Sequence, residues 1–220
     1  MKKIIFGLVC IFVFASCAQN ITRGTQYAKM YQEKPTTILV MPPINNTNFV
    51  DAKEYFYTSL SYPLCEKGYY VVSPFLAMDV FQSESAYDSE MFINNSLSKF
   101  GEVFGADAAL FTIIKDWSKS SVGNTITINI EYILKSTKTG EILFNRKGIL
   151  SVNCAVSGGT SLFDLAANII NTAVTDKIVA ARRCNAYVLY DLPEGKYSPS
   201  FGKDMNATVG AMEFKGVVSK

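Results

Sequence analysis

Thr36-Thr37-Ile38-Leu39-Val40-Met41-Pro42-Pro43-Ile44-Asn45-Asn46-Thr47 decides the reading of the fold. Ile38 to Met41 is a continuous apolar run, the pattern of a strand buried on both faces. A proline cannot donate to a sheet ladder, so Pro42 and Pro43 predict the end of that strand. Asn45-Asn46-Thr47-Asn48 then supplies loop and cap chemistry.

Asp51 predicts a helix start, and Ala52, Phe56, Leu60 and Leu64 recur at helical spacing. Pro63 inside the pattern predicts a kink or a loose last turn, and Gly68 a stop. Tyr69 to Val72 reads as a second short strand, and Ser73-Pro74 as the start of a short helix through Ala77 to Phe81. Leu97, Phe100 and Phe104 mark another helix closed by Gly105, and Ala108 to Ile114 is a third apolar strand. Strand, helix, strand, helices, strand is the order expected of parallel pairing with helical crossovers.

The pattern then changes. Thr125-Ile126-Thr127-Ile128-Asn129-Ile130-Glu131-Tyr132 alternates without a break, which predicts a strand with one wet face. Thr137 to Gly140 is a turn, and Ile142 to Val156 returns as the second arm of an antiparallel hairpin. Gly158-Gly159-Thr160-Ser161 breaks the chain, and Ser161 with Asp164 is similar to a capping box. Leu162, Leu165, Ala166, Ile169, Ala173, Val174 and Ile178 form one apolar stripe on the longest predicted helix. The basic Lys177 to Arg183 segment suits that helix's C-terminal end. The expected fold is therefore α/β (α+β mixed), with a mixed sheet of about five strands, parallel first and hairpin last, and helices packed on it.

The N-terminus gives an address. Met1-Lys2-Lys3 is basic, Ile4 to Phe14 is apolar, and Ala15-Ser16 are small residues immediately before Cys17. A secretory signal has these three parts. The apolar run is shorter than the ~20 residues of a membrane-spanning helix. Two readings leave Cys17 incidental: an ordinary signal peptide and a short anchor. The preferred reading is a bacterial lipobox, Phe14-Ala15-Ser16-Cys17, with covalent lipid on Cys17 as the only added group. The residues after it, Ala18-Gln19, include no Asp, which is compatible with an outer-membrane destination. The expected organisation is a signal peptide over 1–16, a lipidated N-terminus and tether over 17–35 with a helical turn around Tyr27 to Tyr31, one α/β domain over 36–190, and a mostly irregular tail over 191–220. Fully extended, such a tether would reach ~50 Å at about 3.3 Å per residue.

Composition narrows the chemistry. The chain has 220 residues, 49% apolar and 18% charged, which supports one globular domain. Removing Lys2 and Lys3 with the leader leaves 19 basic against 19 acidic residues, so nucleic acid is not an expected partner. The chain contains no histidine, which removes histidine-based nucleophile pairs, histidine metal ligands and the commonest general base. Cys65, Cys154 and Cys184 could form one disulfide in three ways or lie buried as small apolar residues, and their spacing does not suit zinc. Gly158 to Ser161 could bind an anion, although a plain break and cap suffices. Asp107, Asp116 and Glu131 read as separate solvated carboxylates. Among the clustered aromatics, Tyr57 and Tyr62 fall off the apolar stripe of their helix and are the candidates for a partner interface.

Ile38-Leu39-Val40-Met41-Pro42-Pro43-Ile44-Asn45-Asn46, Tyr62-Pro63-Leu64, Glu66-Lys67-Gly68-Tyr69-Tyr70-Val71, Phe104-Gly105-Ala106-Asp107-Ala108 and Thr139-Gly140-Glu141 occur in this order. With the lipobox, they resemble a family of bacterial lipoproteins of unknown function, of the domain of unknown function 799 type. The resemblance implies a fold similar to the TolB N-terminal domain and to CsgG. It also implies a non-catalytic accessory of export or envelope assembly beside a CsgG-like partner. The expected partners are thus the outer membrane through the lipid, periplasmic envelope proteins, and a second copy of the chain. The alternatives are a lipoprotein activator of a cell-wall synthase and an envelope small-ligand binder or enzyme.

Overall fold

The computed structural model describes residues 21–120, 125–154 and 177–218. The chain forms helices α1 (Arg23–Gln26) and α2 (Ala28–Glu33), strands β1 (Thr37–Val40) and β2 (Ile44–Asn45), then helices α3 (Ala52–Ser59) and α4 (Ser61–Glu66). Strand β3 (Tyr70–Val71), helix α5 (Pro74–Ser83), a 3-10 turn at Ser89–Met91 and helix α6 (Ser98–Phe104) follow. Strands β4 (Ala108–Lys119), β5 (Thr125–Ser136), β6 (Ile142–Asn153) and β7 (Glu213–Val218) complete the sheet. Helix α7, described over 177–189, lies between the last two strands in sequence.

The sheet has seven strands in the order β3-β1-β4-β5-β6-β7, with β2 also on β4. Pairing is parallel for β1 with β3 and β4, antiparallel through β4-β5-β6, and parallel again for β6 with β7. The mixed α/β architecture is as expected, but two strands are additional. The first is β2. Pro42 and Pro43 interrupt the opening strand rather than end it: Met41 N donates to Leu110 O, and Ile44 rejoins β4 opposite Ile113. The second is β7, within the segment read as an irregular tail. There Phe214 packs inward and the strand runs in register with Lys147 to Val152.

Burial on both faces follows the sequence. Ile38 and Val40 of β1 enter one core with Phe56, Leu60 and Leu64 of the α3–α4 side, while Leu39 and Met41 enter a second with Ala77, Phe81 and Phe100. In β5 every second residue is buried, from Ile126 to Ser136. Those inward residues meet Ala180, Ala181, Cys184 and Val188 of α7. Tyr132, wholly buried, donates its hydroxyl to Asn185 Oδ1, and Asn185 Nδ2 donates to Ser59 Oγ at 2.9 Å, so three elements share one buried polar network.

Several expectations change with packing. The helix from Ala52 breaks at Leu60, two residues before Tyr62, and Gly68 takes a left-handed φ of 81° just beyond α4. Helix α7 continues past the basic Lys177–Arg183 segment to residue 189, so that segment is not its C-terminus; Asn185 lies inside the helix. The proposed cap at Ser161 and the stripe from Leu162 to Val174 lie outside the described residues.

Candidate functional site

The N-terminal segment expected to be a tether is part of the domain. Thr22 caps α1, its hydroxyl accepting from Thr25 N at 3.3 Å. Arg23, Tyr27 and Met30 then point inward on successive turns and are buried. They dock on a C-terminal arm, the chain after α7. Val209 N donates to Ile21 O, Thr22 bridges Thr208 in antiparallel sense, Arg23 N donates to Ala207 O, and Gly24 N to Met205 O. From Ile21 onward the expected tether is a packed segment, because its backbone is already paired there, and the helical turn expected around Tyr27 to Tyr31 falls in α2.

Two buried ion pairs lock this junction. Arg23 Nη1 lies 3.3 Å from Asp204 Oδ2, and its Nη2 donates to Tyr190 O at 2.9 Å. Arg146, from an inward position of β6, lies 3.1 Å from Asp191 Oδ2 and also donates to Val188 O at 2.8 Å. Asp191 in turn accepts from Gly210 N at 3.0 Å. Burial, partly offset by the Arg146 charge, pushes the Tyr27 hydroxyl up to about 12. A third, partly buried pair, Lys67 with Glu194 at 2.8 Å, holds the arm to α4. Tyr69 reinforces it by donating to Pro193 O at 2.6 Å. Between α2 and the arm lies a cavity of about 350 Å³ lined mainly by Met30, Tyr31, Tyr69, Pro193, Phe201 and Met205.

These charged residues were not singled out from sequence. Arg146 was the readable one: it lies two residues from Phe144 and four from Leu150 on the same face of its strand, where a buried arginine requires a carboxylate partner.

Of the residues predicted from sequence, Cys17 lies outside the described residues. Tyr62 is 70% exposed on α4. Tyr57 is not exposed: it is 6% accessible and its hydroxyl donates to Pro74 O, because α5 packs over the side of α3 that the apolar stripe leaves open. The structure therefore separates the two tyrosines. Asp107 is a cap rather than a solvated carboxylate. Burial alone would raise its pKa, but N–H donors of Thr36 and Thr37 and the Lys138 ammonium hold it below the usual range. Glu131 is likewise lowered against burial, by Lys115 and Asn145. Asp116 accepts from Ser118.

Cys65 is exposed, whereas Cys154 and Cys184 are buried; burial pushes the Cys184 thiol up to about 12. The Gly158–Ser161 break lies outside the described residues. Among the described residues, no three His, Cys, Asp or Glu side chains group as metal ligands. No described helix is long and apolar enough to cross a membrane. A second cavity, about 490 Å³, opens between α5 and α6 against Phe81, Phe92, Phe100 and Phe104, with Glu84 and Lys99 at its lining. What converges at the junction is structural: charges paired inward and a backbone seam, an arrangement suited to fixing a position rather than to acid–base chemistry.

Comparison with known proteins gives the family. The family described as "Putative lipoprotein GNA1162-like" matches residues 25–191. The chain is 24% identical over 196 residues to "Putative lipoprotein NMB1124/NMB1162" of Neisseria meningitidis serogroup B, covering 86% of this chain and 90% of that protein. The crystal structure of lipoprotein GNA1162 from Neisseria meningitidis aligns with a TM-score of 0.49 at 22% identity, over 66% of this chain and 99% of that one. The PelC dodecamer from Paraburkholderia phytofirmans aligns at 0.44 and 11% identity, over 71% and 87% respectively.

Proposed function

The chain belongs to the GNA1162-like lipoprotein family, and from that premise we propose that it is an outer-membrane lipoprotein facing the periplasm, anchored by lipid on Cys17. It acts there without catalysis, as an accessory that positions a protein surface in export or envelope assembly. A channel of the CsgG type is the partner suggested by the sequence resemblance. The observation that carries this reading is the spacing of Cys17 and Ile21. Only residues 18–20 separate the lipobox cysteine from a backbone already hydrogen-bonded into the domain. Lipid on Cys17 would therefore fix the location and also the height of the domain. Several acyl chains on one residue give stable anchoring where one chain alone is marginal.

Exposed Tyr62, and Tyr190 at the end of α7, supply aromatic surface near the junction for a protein contact. The test combines a density gradient with a photo-crosslinking residue at position 62 in intact cells. The chain should sediment with outer membranes, and the residue-62 probe should give a discrete adduct with an envelope protein that a probe at Lys119 does not give. Sedimentation with inner membranes would overturn the location. Identical adducts at both positions would overturn the contact surface, and an adduct with a cell-wall synthase would redirect the accessory role to enzyme activation.

A further inference from the structure

The surface around the exit of the chain towards Cys17 is uncharged. Met205-Asn206-Ala207-Thr208-Val209-Gly210-Ala211-Met212 carries no charge over eight residues, and seven of them are exposed, with Val209 half-buried. Its first part, Met205 to Val209, is paired with Ile21 to Gly24. The adjoining segment adds exposed Ile21 and Thr25 and half-buried Gln26, while its one charge, Arg23, is turned inside against Asp204. The result is an uncharged collar around the point where the chain leaves for the lipid. Lys203 stands at one end of it and Glu213 at the other.

The collar is also tied to the sheet and to the turn after α7 by hydrogen bonds. Ala211 O accepts from Arg146, Met212 O accepts from Lys147 N, and Gly210 N donates to Asp191. Exposed, uncharged and partly apolar surface held this firmly is suited to a permanent neighbour.

We infer that this collar is a bilayer-contact face, seated in the headgroup region of the membrane that holds the lipid. The inference rests on lipidation of Cys17. Four residue steps separate Cys17 from Ile21, so at about 3.3–3.6 Å per residue the collar's edge lies within ~14 Å of the modified cysteine. The zone between hydrocarbon and water is itself several ångströms deep on each side. A charged face brought so close would lose hydration as it settled. An uncharged one with Ile21, Met205 and Met212 at its surface settles at little cost, and flanking Lys203 suits anionic headgroups.

The test uses full-length lipidated protein in vesicles of phosphatidylethanolamine and phosphatidylglycerol, with and without bromine on the acyl chains. Trp117→Phe removes the single native tryptophan, and Thr208→Trp, Ala211→Trp or Val50→Trp then adds one reporter. Cosedimentation with vesicles is measured first, because its loss in every variant would sink the anchor assignment itself. With cosedimentation intact, bromolipid should quench both collar reporters, roughly twofold or more for residues seated at the acyl boundary, and leave the Val50 reporter unchanged. Collar reporters that stay bright in bound protein would overturn the inference and assign the face to a protein neighbour or a second copy.

Discussion

Arg146 shows how one residue ties distant parts of the chain together. On β6 it reaches Asp191 just past α7 and Ala211 in the arm, with side chains about 4% and 7% accessible for the ion pair. Removing one partner of a buried pair leaves an uncompensated charge, which costs about 3–5 kcal/mol. Asp191→Ala should therefore lower the unfolding free energy from urea titration by an amount in that range, nearer its lower end because Val188 O still accepts from Arg146. Asp107 carries a pH signature. Its folded-state pKa is lowered, so its contribution is fully present above the unfolded carboxylate value of ~3.9 and disappears as pH falls through the folded value. Asp107→Asn should be less stable than the parent chain at neutral pH, and in denaturation curves the gap should narrow as pH falls below the unfolded value and close below the folded one. A gap that persists in acid would show that the N–H groups of Thr36 and Thr37 gain nothing from the carboxylate charge.

At the scale of elements, legibility followed locality. The alternation in β5 could be read because each inward position is stated by its own residue, and the buried run of β1 likewise. Strand β7 could not. Its sequence offers one inward aromatic, Phe214, and its existence depends on β6 allowing a close approach. Gly148 provides that approach: a Cβ there would lie 2.0 Å from Phe214 O. Gly148→Ala should push β7 off the sheet edge, cutting amide-exchange protection across Glu213 to Val218 roughly tenfold or more, about 1.4 kcal/mol, while β5 keeps its protection. Unchanged protection in β7 would mean that the two strands can separate and stay paired.

The helical turn of the N-terminal segment was legible, but its docking was not, for a related reason. Arg23, Tyr27 and Met30 form an inward stripe, but an arginine in it looks like solvent until Asp204 is brought beside it from far along the chain. Tyr57 was misread because a single helix's stripe records one packing partner, whereas α3 has two, the sheet and α5.

For the whole molecule, the candidate site was half legible. Cys17 and its lipobox stand in the sequence, but the height at which they would hold the domain does not. With lipid on Cys17, that height would follow from the docking of Ile21 to Lys34 on the C-terminal arm, which would replace a long reach with close seating. The proposed function therefore turns on whether Cys17 is the modified first residue. Intact-mass measurement of the mature protein purified from membranes tests this most directly. The account predicts a chain lacking residues 1–16 whose excess mass corresponds to acyl groups and localises to an N-terminal peptide beginning at Cys17. A chain of unmodified mass, or one beginning at another residue, would contradict it.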